Sequence, residues 1–441
     1  MIPRDILYVN NMTMNRFSFA SLGLIGIACI VAFGPHPDDV AKKKLPAKPT
    51  YAEHIAPILN DHCVTCHRPG EVAPFSLIGY ENAKKWSAMV TQVTHSRLMP
   101  PWKAKEGYGE FMDENRLSVE ELELIKRWDA TGNAMGEKKK IPAPPVFTSE
   151  WALGKPDLII QAAKPYRVSS EGTDEYRNFV IPTNFKEARY VVAMDVKPGN
   201  PRVVHHVIAF LDSKGRAAKL EAQNHDGQEG YVTFGGVGFA PDGALGGWAP
   251  GLQARKIPGG NAFRVEPGTS IVLQVHYNKS GKEETDQTRV GLYLAKEPVK
   301  QEMHLAWMFN ILLAVPANEA DHKVFFTYKV PRDITLWSVM PHMHLLGKSM
   351  KAWVERPDGK TVPLIHVDQW DFNWQLNYVL KSPIKIPGGS TVKIESVYDN
   401  SDKNPRNPSN PPKPVFVGEK TTDEMMLLIG AYTVDGQPAR N

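Results

Sequence analysis

Cysteine is scarce in this chain of 441 residues: there are three, Cys29, Cys63 and Cys66. So few exclude a disulfide scaffold. Charge of one sign is also missing, with 52 Lys and Arg against 48 Asp and Glu, a net of +4. The positive charges form no long stripe, which excludes the electrostatic footprint of a nucleic-acid binder. Long apolar helical patterns are few, while 36 Pro and 34 Gly interrupt the chain. That balance tilts the fold toward short strands and turns. Hydrophobic residues at 42% and charged residues at 23% are ordinary for globular protein, which excludes long disorder and collagen-like repeats. At ~150 residues per domain, the length corresponds to about three domains.

Residues 1–34 contain one apolar stretch, Phe17–Phe33, after Arg16 and before the polar run Pro35–Lys44. It is longer than many signal-peptide cores and slightly short of the ~20 residues of a comfortable membrane span. The expectation is a cleaved export signal. An uncleaved N-terminal anchor is the second reading, and lipid attachment at Cys29 a third. Each places the rest of the chain outside the cytoplasm, in the periplasm or cell envelope.

The strongest local signal is Cys63-Val64-Thr65-Cys66-His67, the C-x-x-C-H pattern of c-type heme attachment. Two thiols at this spacing form thioethers to one porphyrin, and the His that follows falls beneath the iron. The bland alternative is a redox dithiol with an incidental His. Thr50-Tyr51-Ala52-Glu53 and Ser118-Val119-Glu120-Glu121 read as capping boxes that open helices. Leu122, Ile125 and Trp128 share one face of the second, and Pro57 should kink the first or force a late start. The plan over residues 45–135 is that of a small all-α cytochrome c domain carrying one covalent heme. Met99 in Arg97-Leu98-Met99-Pro100-Pro101-Trp102 is the expected sixth ligand, on a proline-stiffened loop, with His95 and Met89 as competitors. This segment resembles the cytochrome c domains found fused to other modules in many environmental bacteria, where an M-P-P-W loop recurs.

Residues 136–154 form a linker, with a run of three lysines (Lys138, Lys139 and Lys140) followed by Pro142, Pro144 and Pro145. From about Trp151 the texture changes. Tyr190–Val196, Val203–Leu211, Ser270–Tyr277, Val324–Val330 and Ser390–Val397 are short runs rich in Val, Ile, Tyr and Phe, which predict strands. The roughly 290 residues after the linker are too many for one sandwich, so two are expected, over 155–297 and 298–441. The Gly-rich piece at 235–238 is no dinucleotide loop, because Pro241 follows and no βαβ pattern surrounds it.

Three histidine groups stand in this β region: His205-His206, His276, and His342-Met343-His344. On a strand His342 and His344 share a face, with Met343 pointing away. His205 and His206 point to opposite faces of a regular strand, so both reach one ion only at a bulge or strand end. The other histidines of the β region, His225, His304, His322 and His366, have no such partners and read as structural or surface residues.

Taken in order, Val203-Val204-His205-His206-Val207, Leu273-Gln274-Val275-His276-Tyr277, His342-Met343-His344-Leu345-Leu346-Gly347 and Asp423-Glu424-Met425 resemble the four ligand motifs of the copper type II, ascorbate-dependent monooxygenases. The resemblance covers roughly 155–441. It implies two all-β, jelly-roll-like sandwich domains after the cytochrome c domain. It implies two coppers: an electron-transfer copper on His205, His206 and His276, and an oxygen-activating, catalytic copper on His342, His344 and Met425. Two imidazoles with a thioether also favour Cu(I) on chemical grounds, whereas Met suits a structural zinc site poorly. Met426 rivals Met425, since adjacent strand residues face opposite ways.

The expected function is an exported copper-dependent monooxygenase that hydroxylates a C–H bond with O2. Its electrons would come through its own c-type heme from an electron-donor protein or a small reductant. The alternative is a non-catalytic heme–copper electron-transfer or copper-handling protein. A heme peroxidase-like enzyme is a second rival, and it requires that Met99 leave the heme face open. In peptidylglycine-hydroxylating relatives an Arg, an Asn and a Tyr hold the substrate carboxylate; by resemblance those positions here are Met340, Leu427 and Ile429. A buried carboxylate without partners is costly, so the resemblance implies an uncharged small-molecule substrate, unless Lys348 or Arg202 supplies the charge.

Overall fold

The computed structural model describes residues 45–440, apart from 72, 148, 149, 234 and 235. The apolar stretch at 17–33, Cys29 and His36 lie outside the described residues. No helix among the described residues is long and apolar enough to cross a membrane.

The N-terminal part is helical. A wide π turn, Tyr51–Ile55, is capped by Thr50 and runs into α1 (Ala56–His62), with Pro57 in its first turn. Proline has no N–H to donate, and the first turn is where none is needed. The result is a late start for the regular helix. A further helix, α2 (Tyr80–His95), was not visible in the apolar pattern. Its buried positions are Ala83, Ser87, Val90 and Thr94, helically spaced but half of them polar. The third helix, α3 (Val119–Ala130), opens on a reciprocal capping box: Ser118 Oγ accepts from the Glu121 N–H at 3.2 Å, and Glu121 accepts from the Ser118 N–H at 2.8 Å. Leu122, Ile125 and Trp128 bury its inner face against Tyr51, Ile55 and Leu59.

Two antiparallel β sandwiches make up the rest. In the first, a five-stranded sheet runs Tyr231–Val232, Glu175–Pro182, Ser270–Tyr277, Val204–Asp212, Gly243–Trp248. It faces a four-stranded sheet of Leu158–Gln161, Arg289–Leu294, Arg189–Lys197 and Phe263–Val265. Val207, Leu273 and Val275 from one sheet meet Ile160, Val191 and Val290 from the other in a common core. The second sandwich pairs Met303–Phe309, Leu427–Val434, Ile334–His342 and Tyr378–Ile386 with a sheet of His322–Lys329, Thr391–Tyr398, Gly347–Glu355 and Thr361–Val367. Along Thr391–Tyr398, buried and half-buried residues alternate, the period of a strand with one face in a core.

The linker runs into the first sandwich, but the helical part is also joined to the second. Residues 104–112 add short bridges at Ala104–Val367 and Phe111–Leu380. The Lys105 N–H donates to His366 O at 2.7 Å, and the Met112 N–H donates to Val379 O at 2.8 Å. Ala104 and Phe111 belong to the core of the second sandwich, and Trp102 meets Tyr378 edge-on at 5.1 Å. Buried apolar contact and backbone pairing together fix this loop.

Candidate metal centres

The first histidine group lies where a strand breaks register. Pairing of Val204–Asp212 with Ser270–Tyr277 shifts between Val204 and His206, so His205 is the extra residue of a bulge. A bulge re-aims a side chain, and here it brings His205 to the same side as His206. His276 is the direct cross-strand partner of His206. His205 Nδ1 lies 3.2 Å and His276 Nδ1 3.3 Å from His206 Nδ1, and one ligand atom from each of the three residues falls within 4.8 Å of the others. Nitrogen ligands at about 2.0–2.1 Å from one ion sit about 3.3–3.5 Å apart in tetrahedral or trigonal geometry. The cluster has the spacing of a three-imidazole site.

Its outer contacts come from two directions. Asp174 Oδ2 stands 3.2 Å from His276 Nε2 and accepts from Thr421 Oγ1 at 2.5 Å. Burial raises the Asp174 carboxyl, but the bonds to His276 and Thr421 outweigh it, and the group titrates below its usual value. A carboxylate behind a ligating imidazole fixes its tautomer and ring plane. Tyr176 stacks on His276 at 4.3 Å and 15°, and its hydroxyl donates to Glu419 O at 2.6 Å. Thr421 and Glu419 belong to the second sandwich's final loop, so that loop braces the first sandwich's cluster.

The second group departs from the strand picture. The strand Ile334–His342 ends at His342, and His344 lies just beyond it, in the turn before Gly347–Glu355. Alternation still holds across the end: Met343 is fully buried in the core, while the two imidazoles approach at 5.1 Å between centroids. The His342 Nδ1 atom bonds Gln375 Oε1 at 2.7 Å, and His344 Nδ1 donates to Asp423 O at 3.1 Å. With its Nδ1 engaged, His342 would offer Nε2 to a metal. Glu424 holds the turn, accepting from the N–H groups of His344 at 2.9 Å, Leu346 at 2.7 Å and Met425 at 3.1 Å. Met426 is 1% exposed and lies in the core. Met425 instead lines the same cleft as His342 and His344.

Burial pushes His205 and His342 down to about 3 and His344 down to about 4, and it takes His206 well below the usual imidazole range. All four are neutral at physiological pH, the form that ligates metal.

Cys63, Cys66, His67 and Met99 line the same cleft, whose volume is about 1450 Å³. Burial pushes the Cys63 thiol up to about 12 and raises Cys66 as well, the reverse of an exchange-active dithiol. His67 Nδ1 donates to Phe75 O at 3.1 Å, leaving Nε2 toward the cleft. Of the competitors to Met99, Met89 also lines the cleft. His95 is exposed and bonded to Thr91 O at 2.9 Å. Gln253 Nε2 reaches Cys66 Sγ at 3.9 Å, so the first sandwich touches the C-x-x-C-H segment directly.

Three groups went unread in the sequence: Asp174, Phe372 and Gln375. None stands in a spaced motif. The role of Glu424 beside Met425 was also unread, although the residue lies within a quoted motif.

Three imidazoles converge within metal-ligand reach of one another, and His342, His344 and Met425 line one cleft, donor types that suit copper. Residues 323–432 match the model of the copper type II ascorbate-dependent monooxygenase C-terminal domain. This match covers the second sandwich and supports a likeness of that part of the chain to a copper monooxygenase domain. No curated protein matches the chain. Among solved structures, the VP2 subviral particle of infectious bursal disease virus is 8% identical, with 67% of this chain and 75% of that chain covered and a TM-score of 0.18. PNGF-II is 11% identical over 67% and 65%, with a TM-score of 0.23. A Paenibacillus xanthan lyase is 10% identical over 67% and 28%, with a TM-score of 0.18. Likenesses this slight carry no argument about function.

Proposed function

We propose that the protein is an exported copper monooxygenase that hydroxylates a C–H bond of an uncharged, largely apolar organic substrate and receives electrons through its own c-type heme. One observation carries this reading. The C-x-x-C-H segment, His206 and His276 of the three-histidine cluster, and the His342/His344/Met425 group line one continuous cleft.

The donor sets suit the ions. His205, His206 and His276 would hold one copper through nitrogens already spaced for it, and His342, His344 and Met425 would hold the other. Copper on the second set supplies O2 activation, and copper on the first stores the second electron that hydroxylation needs. Cys63, Cys66 and His67 would hold a heme that carries electrons singly, with Met99 as its sixth ligand. The chain's own groups orient these ligands. Gln375 and the Asp423 carbonyl fix the imidazole planes of His342 and His344, and Asp174 fixes that of His276. The burial of these rings keeps protons off the ligating nitrogens.

The substrate class follows from the wall. Met340 pairs with Ile429 and His342 with Leu427 across neighbouring strands. By alternation all four side chains share one face, and all four line the cleft. Trp248, Trp307, Trp337 and Phe210 extend the apolar lining. Lys348 and Arg202 are engaged elsewhere, with Asp321 at 2.6 Å and Glu284 at 3.0 Å. Of the cationic groups in the lining, Arg255 pairs with Asp113, Arg264 with Glu266 and Arg440 with Glu302, while Lys256 belongs to a loop of the first sandwich, away from Met340 in sequence. A substrate carboxylate beside Met340 would lose its hydration without compensation. Export is proposed from the apolar stretch at 17–33.

The test incubates reduced, copper-loaded full-length protein with neutral alkyl and aryl compounds and with an N-acylglycine. Hydroxylation of neutral compounds with matching O2 uptake supports the reading. Robust hydroxylation of the acylglycine, dependent on its free carboxylate, overturns the substrate class. No O2 uptake with any compound leaves the electron-transfer alternative.

A further inference from the structure

The loop of residues 370–377, between strands Thr361–Val367 and Tyr378–Ile386, touches both metal centres. Its ties to the second centre are hydrogen bonds. Trp370 Nε1 donates to His344 O at 3.1 Å, and Gln375 Oε1 lies 2.7 Å from His342 Nδ1. Gln375 Nε2 also donates to Phe372 O at 2.9 Å, closing the loop on itself. Asp371, 2% exposed, lies 3.4 Å from Arg406 and 3.9 Å from Lys103 of the helical part. The loop is therefore held in register with His342 and His344.

Its tie to the first centre is a single ring. Phe372 stacks on His205 with centroids 4.8 Å apart and planes at 17°, and it meets His344 edge-on at 5.9 Å and 84°. His205 belongs to the first sandwich and His344 to the second. The two imidazole centroids are thus no farther apart than these two legs together.

We propose that Phe372 is a positioning residue shared by the two centres: it fixes the ring plane of His205 and, through it, the separation of the first centre from the second. The proposal rests on the two-copper reading given above. His205 stands on a bulge, and the second torsion of a histidine side chain is broad and roughly two-fold. Of the other two imidazoles of the cluster, His276 has a carboxylate behind it and Tyr176 stacked on its face, and His206 has the Tyr176 ring at 6.1 Å. His205 instead has the Phe372 face. A stacked ring leaves the imidazole its coordinating edge and removes its rotation.

Phe372→Leu and Phe372→Tyr in the full-length protein test this. Leu keeps the apolar fill and removes the stack, while Tyr keeps the stack. In metal-free protein the Phe372 ring current should shift the His205 ring protons. Phe372→Leu should abolish the shift, and Phe372→Tyr should retain it. In dicupric protein the EPR dipolar broadening should report one narrow inter-copper distance for wild type and Phe372→Tyr, and a broad spread for Phe372→Leu. First-centre copper affinity should fall ~10-fold in Phe372→Leu, the lower end for losing an outer-shell partner. A Phe372→Leu protein with unchanged His205 shifts and an unchanged distance overturns the proposal. If wild type takes up fewer than two coppers, the two-copper reading fails, and the ring-proton shifts still decide the role of Phe372.

Discussion

Removing one oxygen from Glu424 should destabilise the second sandwich and loosen the metal-facing turn together. The carboxyl is fully buried. One oxygen accepts from the N–H groups of His344 and Met425, and the other accepts from Leu346. Burial pushes the carboxyl up to about 8 against the N–H donors facing both oxygens, so the comparison is made above that pH, where the ionised carboxylate accepts at both. In Glu424→Gln one oxygen becomes an NH2 group pointing at an N–H, and at least one backbone donor is orphaned. An unsatisfied buried donor costs about 1–3 kcal/mol, which is the expected loss. Glu424→Ala orphans these backbone donors together and opens a cavity, for about 3–5 kcal/mol, since each orphaned buried donor costs about 1–3 kcal/mol. Urea unfolding of metal-free protein, followed through the tryptophans beside the turn, measures both. Native-state hydrogen exchange should show faster exchange at the amides of residues 344 and 346. If both variants stay within about 0.5 kcal/mol of wild type, the range of ordinary surface substitutions, the bracing role assigned to Glu424 is wrong.

Asp226 pairs with the fully buried Arg177, whose guanidinium holds the carboxyl well below the usual range. A depressed carboxyl stabilises the fold above its unfolded value of about 4 and loses that contribution as pH falls below it. Asp226→Asn should therefore lower stability at neutral pH by about 1–3 kcal/mol, less than a fully enclosed pair because water reaches the aspartate. It should also flatten the acid limb of the stability curve, and an acid limb unchanged in the variant contradicts the assignment. Asp174→Asn should weaken copper binding at the first centre by about 10–100-fold while leaving the second intact, read by competitive titration with a copper chelator. Equal weakening at both centres would show a general loss of structure instead. Met99→Ala should abolish the weak near-infrared sulfur-to-iron band of the ferric heme and lower its potential. A band that persists points to Met89.

Several strands were legible because each is an apolar run bounded by turn residues. The run Ser270–Tyr277 has the same limits in sequence and structure, and Val203–Leu211 differs from Val204–Asp212 by one residue at each end. That His205 and His206 could share a side only at a bulge or a strand end also followed from strand geometry, and a register shift lies there. The helix Tyr80–His95 was hidden because its inner face carries Ser87 and Thr94. The Ser87 hydroxyl reaches Asp129 at 2.7 Å, and that of Thr94 bonds back to Val90 O at 2.8 Å. These polar groups are satisfied inside the module, a property no periodicity reveals. The braces of the metal centres were hidden for a different reason. Phe372 and His205 are distant in sequence and on different sandwiches, and Asp174 meets Thr421 across a similar gap. Only the packed chain brings these pairs together.

The central claim is that one chain holds one c-type heme and two coppers at the named ligands. Copper, zinc and heme content of purified full-length protein, measured beside His205→Ala and His344→Ala, tests it most directly. The account predicts two coppers and one covalent heme for wild type. Each variant should lose one copper with its heme spectrum unchanged. Zinc at both β-sandwich sites, a single copper in wild type, or loss of heme in either histidine variant would contradict it.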